Sequence, residues 1–191
     1  KDIADAGYDL RQMRPAIGAV TGTATHAGIA EMHRRRMRSG DPDDWSIDTA
    51  IDCGMSEVDK FVQYGVVWDA TTTDLNSAQK QVSRQLKVYA QCYGDAIPDA
   101  VEESLVAVIS PDAVLCGTVD QRVGTSIRDT KTGTRRRANG VQYGAYSLLQ
   151  RAHGVEIDEL IEEYLPRTSL KKPQLPVSVI KHNVAEAERA A

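Results

Sequence analysis

One hairpin constrains this chain more than any other stretch. Val114 to Arg122 and Ser126 to Thr132 are β-rich runs separated only by Gly124-Thr125, the two-residue signal for a type II′ turn with glycine first. That turn sets the register: 123 opposes 126, 122 opposes 127, and Asp120 falls opposite Asp129 with Cβ atoms roughly 5 Å apart. Strand alternation puts Asp129 and Lys131 on one face and Thr130 on the other. Like charges facing each other are destabilising unless a positive charge lies between them. Two carboxylates and an ammonium at this spacing therefore point to a divalent cation and to metal-assisted cleavage of a phosphodiester.

The rest of the chain divides around this hairpin. A helix is expected from about Thr23 to Met37, with His26 at its beginning, ended by Ser39-Gly40-Asp41-Pro42. Ser46 caps a second helix through Ile47, Ile51, Met55, Val58 and Val62. A third carries Ala78, Val82, Leu86, Tyr89 and Tyr93 on one face, with Gly94 as its stop. Val101 to Ile109 reads as a strand, Val141 to His153 as a helix closed by Gly154, and Ile157 to Leu165 as a short helix or strand. A proline-bounded segment, a strand at Val177 to Ile180 and a polar helix follow. The expected fold is α/β, a small mixed central sheet flanked by helices. The 191 residues suit a single domain: a helical N-terminal region over residues 1–95, the catalytic sheet and helix over 96–154, and a C-terminal extension over 155–191.

Hydrophobic content of 41% and charged content of 26% are those of a soluble globular protein. The net charge of −4 argues against a generally basic DNA-coating protein, but local patches and not the sum govern binding. Cys53, Cys92 and Cys116 form no CxxC pair, which speaks against zinc, an iron–sulfur cluster or a disulfide framework. No run of 18 apolar residues is present, so no membrane association and a cytoplasmic location are expected.

Five stretches in this order resemble the PD-(D/E)xK nuclease superfamily, specifically its RecB-type exonuclease branch. They are Gly22-Thr23-Ala24-Thr25-His26, Val101-Glu102-Glu103, Gly117-Thr118-Val119-Asp120, Asp129-Thr130-Lys131-Thr132-Gly133 and Gln142-Tyr143-Gly144-Ala145-Tyr146, spanning residues 22–146. The resemblance implies a restriction-endonuclease-like core. It implies Asp120, Asp129, Glu102, His26 and the Thr130 carbonyl as ligands of Mg²⁺ or Mn²⁺, cations that take oxygen ligands and keep waters. Lys131 would orient or deprotonate the attacking water and steady the charge of the transition state.

The residues by themselves leave several roles open. Glu102 and Glu103 point to opposite faces, each shared with apolar residues; only the family's Val-Glu pattern favours Glu102. Gln142 and Tyr146 lie on one helical face, either contacting the DNA backbone, as the resemblance implies, or forming a half-buried pair. Gly144 between them permits close approach of another backbone. Arg135, Arg136 and Arg137 follow the site directly as a phosphate track, and Arg34-Arg35-Arg36-Met37-Arg38 is a second basic cluster. His33 is read as structural. Three departures from the family stand out: a compact loop between the aspartates, Val-Asp for Pro-Asp, and no cysteine set for iron–sulfur binding. The expected partner is DNA without sequence-specific reading, cut exonucleolytically in phage or bacterial recombination or repair, with a homo-oligomer or a recombination protein as a further partner. A structure-selective endonuclease and a catalytically silent DNA- or protein-binding relative are the alternatives.

Overall fold

A computed structural model describes residues 14–92, 96–137 and 140–191. Five strands form one mixed sheet in sequential order: β1 (Ala100–Ser110), β2 (Ala113–Val123), β3 (Ser126–Gly133), β4 (Glu159–Pro166) and β5 (Ser178–His182). The β3–β4 pair is parallel and the others antiparallel. Helices α1 (Ile17–Ser39), α2 (Ile47–Tyr64) and α3 (Leu75–Gln91) cover one face. Helices α4 (Gly140–Ala152) and α5 (Val184–Ala190) cover the other. Each face has its own apolar cluster: Val20, Val82, Leu86 and Leu165 on the first, Ile127, Tyr143, Leu149 and Leu160 on the second.

Local chemistry accounts for most element ends. The Ser46 hydroxyl accepts from Thr49 N–H at the start of α2, and Asp74 and Ser77 form a reciprocal capping box on α3. The expected stop Gly94 and the last apolar position Tyr93 lie outside the described residues. At the end of α1, Gly40 takes the left-handed conformation at φ 71° and donates to the Arg36 carbonyl.

The start of α1 differs from expectation. The helix begins at Ile17, so His26 sits well inside it and not at its beginning. Gly18, Gly22 and the threonines at 21, 23 and 25 are weak helix formers and mask the start. Burial of Ile17, Val20 and Ala24 overrides that propensity, and the Thr21 and Thr25 hydroxyls bond back to the Gly18 and Thr21 carbonyls. The ambiguous segment after Ile157 becomes strand β4, an interior parallel strand buried on both faces. Residues 159–182, read as an extension, thus contribute two strands to the central sheet.

Candidate active site

The β2–β3 hairpin forms in the expected register but stops early. Val123 pairs with Ser126, Arg122 with Ile127 and Gln121 with Arg128. Gly124 has φ 57° while Thr125 is not among the positive-φ residues, as a II′ turn requires. The step expected between Asp120 and Asp129 does not form. Asp120 instead turns its carboxylate into the gap, and Oδ2 accepts from the Thr130 N–H at 2.9 Å. Beyond this point β3 runs in full parallel register with β4 while β2 stays with β1. The sheet therefore opens where the acidic residues lie.

Glu102 enters the gap from β1. Its neighbours Val101 and Glu103 pair with Gln121 and Val119, which places Glu102 opposite Asp120. Among the described residues it is the one non-glycine with positive φ, 51°, a conformation that costs energy for a residue with a Cβ. Side-chain alternation slips at the same place. Val119 packs beneath α4, yet Gln121 reaches the Tyr89 hydroxyl on the opposite face at 2.9 Å. Glu103 lies on the α4 side, where its carboxylate accepts from Gln150 Nε2 at 2.7 Å. Geometry thus separates the two glutamates as alternation requires and brings Glu102 to Asp120.

His26 comes from α1, which reaches the strands because Gly22 has no side chain. A Cβ there would lie 2.7 Å from Thr132 Oγ1 on β3. His26 Nδ1 is 3.2 Å from Asp120 Oδ2. Ligand atoms of His26, Glu102 and Asp120 all lie within 4.8 Å of one another. Burial works to lower the pKa of His26, but its bond to Asp120 and the charges of Asp120, Asp129 and Glu102 outweigh it and raise the pKa. Burial, then the charge of Asp120, raises the pKa of Glu102. Two carboxylates and an imidazole converging at this distance suit a divalent cation, and the set fits Mn²⁺ as readily as Mg²⁺.

Asp129 lies apart from this triad and is fully buried. Lys131 Nζ approaches its Oδ2 to 2.6 Å, and the Tyr143 hydroxyl donates to the same oxygen at 3.1 Å. Burial, reinforced by the charge of Asp120 and opposed by Lys131, pushes its pKa up to about 6. Thr130 and Lys131 line a cleft of about 430 Å³ with His26 and Glu102. This cleft continues past Gly18 and Lys131 into a groove of about 660 Å³ lined by Arg135, Arg136, Arg137, Tyr164 and Arg167.

The arginine runs are less uniform than the sequence suggests. Arg135 and Arg137 are exposed and make no ion pair among the described residues. Arg136 is clasped to the fully buried Glu162, with Nε–Oε1 2.5 Å and Nη2–Oε2 3.0 Å. The helical period distributes the Arg34–Arg38 run around α1. Arg35 pairs with Asp44 and Arg38 with Glu31, while Arg36 is buried and Arg34 is left exposed. His33 is buried against the Tyr89 hydroxyl at 3.3 Å, and burial lowers its pKa to about 3. Gln142 Nε2 donates to the Tyr146 hydroxyl, whose pKa is raised by burial and by Asp129.

Sequence reasoning missed Tyr143, Glu162 and His182. His182 stacks on Tyr143 with ring centroids 4.3 Å apart, and its Nε2 lies 3.0 Å from Glu162 Oε2. A signal was available: Glu162-Glu163 interrupts a buried apolar strand, and buried carboxylates require partners.

No protein-family model matches the chain, and no curated protein matches it in sequence. Among solved structures, a candidate exonuclease from Eubacterium rectale is similar in fold, with a TM-score of 0.51 and 11% identity. The match covers 96% of this chain and 82% of that one. At this identity the likeness establishes the fold: a mixed α/β sheet flanked by helices, here with an acidic cluster where the strands part. No described helix is long and apolar enough to cross a membrane.

Proposed function

We propose that this protein is a divalent-metal-dependent DNA nuclease of the PD-(D/E)xK type with a RecB-like core, acting as an exonuclease without sequence specificity. The observation that carries the reading is convergence. His26 of α1, Glu102 of β1 and Asp120 of β2 meet within 4.8 Å beside the Asp129–Lys131 pair of β3. Fold similarity to a candidate exonuclease is in keeping with it.

His26, Glu102 and Asp120 would hold the cation, with Asp129 and the Thr130 carbonyl on the β3 side of the gap. A divalent cation there supplies charge neutralisation at the phosphate and activation of the attacking water. Lys131, anchored by Asp129, orients that water and donates to the phosphate oxygens as negative charge develops. Arg135 and Arg137 hold phosphates of the strand along the groove, contacts that carry no base information. Gln142 and Tyr146 stand on the α4 side as further backbone contacts. The basic groove beside an acidic centre reconciles the net charge of −4 with a polyanionic substrate.

The test uses linear and closed circular DNA with Mg²⁺, Mn²⁺ or chelator. Linear DNA alone should be lost, only with metal, and Asp120→Ala and Lys131→Ala should each lower the rate by about a hundredfold or more. Nicking of the circle would instead indicate an endonuclease. DNA binding without any cleavage would indicate a silent relative, and full activity in both variants would remove the site from consideration.

A further inference from the structure

The groups behind Asp129 form a connected set that the reaction itself does not use. The Tyr143 side chain is completely buried between two fully buried carboxylates, Asp129 and Glu162. A phenol has one proton to donate, so it can serve one of them at a time. The hydroxyl stands within hydrogen-bonding reach of both and lies 3.1 Å from Asp129 Oδ2. Glu162 is already supplied, by two guanidinium nitrogens of Arg136 and by His182 Nε2 at 3.0 Å. His182 also fixes the phenol ring by stacking upon it. These groups come from four places in the chain, the loop after β3, α4, β4 and β5.

We propose that Arg136, Glu162 and His182 act as positioning residues for Asp129: by saturating Glu162 they commit the single Tyr143 proton to the Asp129 carboxylate and hold it in the orientation that a metal ligand needs. The inference rests on the reading of Asp129 as a ligand. It gives Arg136 a role distinct from that of Arg135 and Arg137. Arg136 acts on the metal site through three intervening side chains, without touching metal or substrate. Were Arg136 removed, the buried Glu162 carboxylate would lose two of its donors and compete for the Tyr143 proton, because a buried carboxylate requires a partner.

Mn²⁺ affinity, measured by calorimetry or electron paramagnetic resonance on the DNA-free protein, tests this, with thermal unfolding of each variant alongside. Tyr143→Phe should weaken binding roughly tenfold, the scale for losing a hydrogen bond that orients a ligand. Arg136→Ala should weaken it in the same direction without DNA present. Adding Glu162→Gln to Arg136→Ala should restore most of the affinity, because a neutral amide no longer competes for the proton. Wild-type affinity in Arg136→Ala would overturn the inference while leaving the nuclease reading intact. So would a double variant that recovers stability but not Mn²⁺ affinity. A wild type that binds no Mn²⁺ would overturn both.

Discussion

Asp129 shows how a single residue can be held in an unfavourable state. It is fully buried, and burial together with the charge of Asp120 raises its pKa from 3.8 to about 6 despite the Lys131 ammonium. A carboxylate whose folded pKa exceeds its unfolded value stabilises the fold below the unfolded pKa, and that contribution is lost as pH rises through the folded one. In the metal-free protein, Asp129→Asn should therefore gain stability relative to wild type as pH is raised from about 4 to above 6. Denaturant unfolding across that range measures the difference, and a constant difference would contradict the assignment. Glu102 carries a second cost in its φ of 51°. Glu102→Gly should relieve both the backbone strain and the repulsion with Asp120. A metal-free stability higher by about 1 kcal/mol is expected, with Mn²⁺ affinity lost. With Glu102 as the proposed ligand, metal binding and stability would oppose each other at this position.

At the scale of elements, Gly144 and Gly22 are among the glycines that set how closely helices approach their neighbours, and what each would strike decides the size of the effect. A Cβ on Gly144 of α4 would lie 2.0 Å from the Ala187 carbonyl oxygen of α5, a backbone atom that can move only with its helix. Gly144→Ala should cost about 1–3 kcal/mol and displace α5, read by chemical denaturation. On Gly22 the nearest atom is the Thr132 hydroxyl at 2.7 Å, which can rotate away. Gly22→Ala should therefore cost less stability. It should nevertheless reduce metal affinity, because α1 carries His26 toward Asp120. Gly22, one of the weak helix formers that disguise the start of α1, is also the residue that lets the helix lie close to β3.

For the whole molecule, the sheet order makes the C-terminal fifth indispensable. β4 lies between β3 and β5, and its parallel ladder with β3 covers Ser126 to Gly133. Ending the chain after Gly154 would expose that full edge of β3 and remove Leu160 and Leu165 from the two clusters. Such a truncation should lose cooperative unfolding in calorimetry. Charge is also organised at this scale. Replacing Arg135 and Arg137 together with alanine should lower the slope of log affinity against log salt for DNA by about 2, with little change in Tm since both are exposed. By itself the sequence determined the helices with clear caps and apolar stripes, the II′ turn, the separation of Glu102 from Glu103, and the short-range register of the β2–β3 hairpin. Those features follow from periodicity and turn chemistry within a few residues. Only the tertiary structure decided that the hairpin parts at Asp120 and that His26 reaches it from mid-helix. It likewise decided that Arg136 is spent on Glu162 and that Tyr143 and His182 stand behind Asp129. Each of these depends on contacts between segments far apart in the chain, formed where burying a carboxylate requires a donor from whichever element lies within reach.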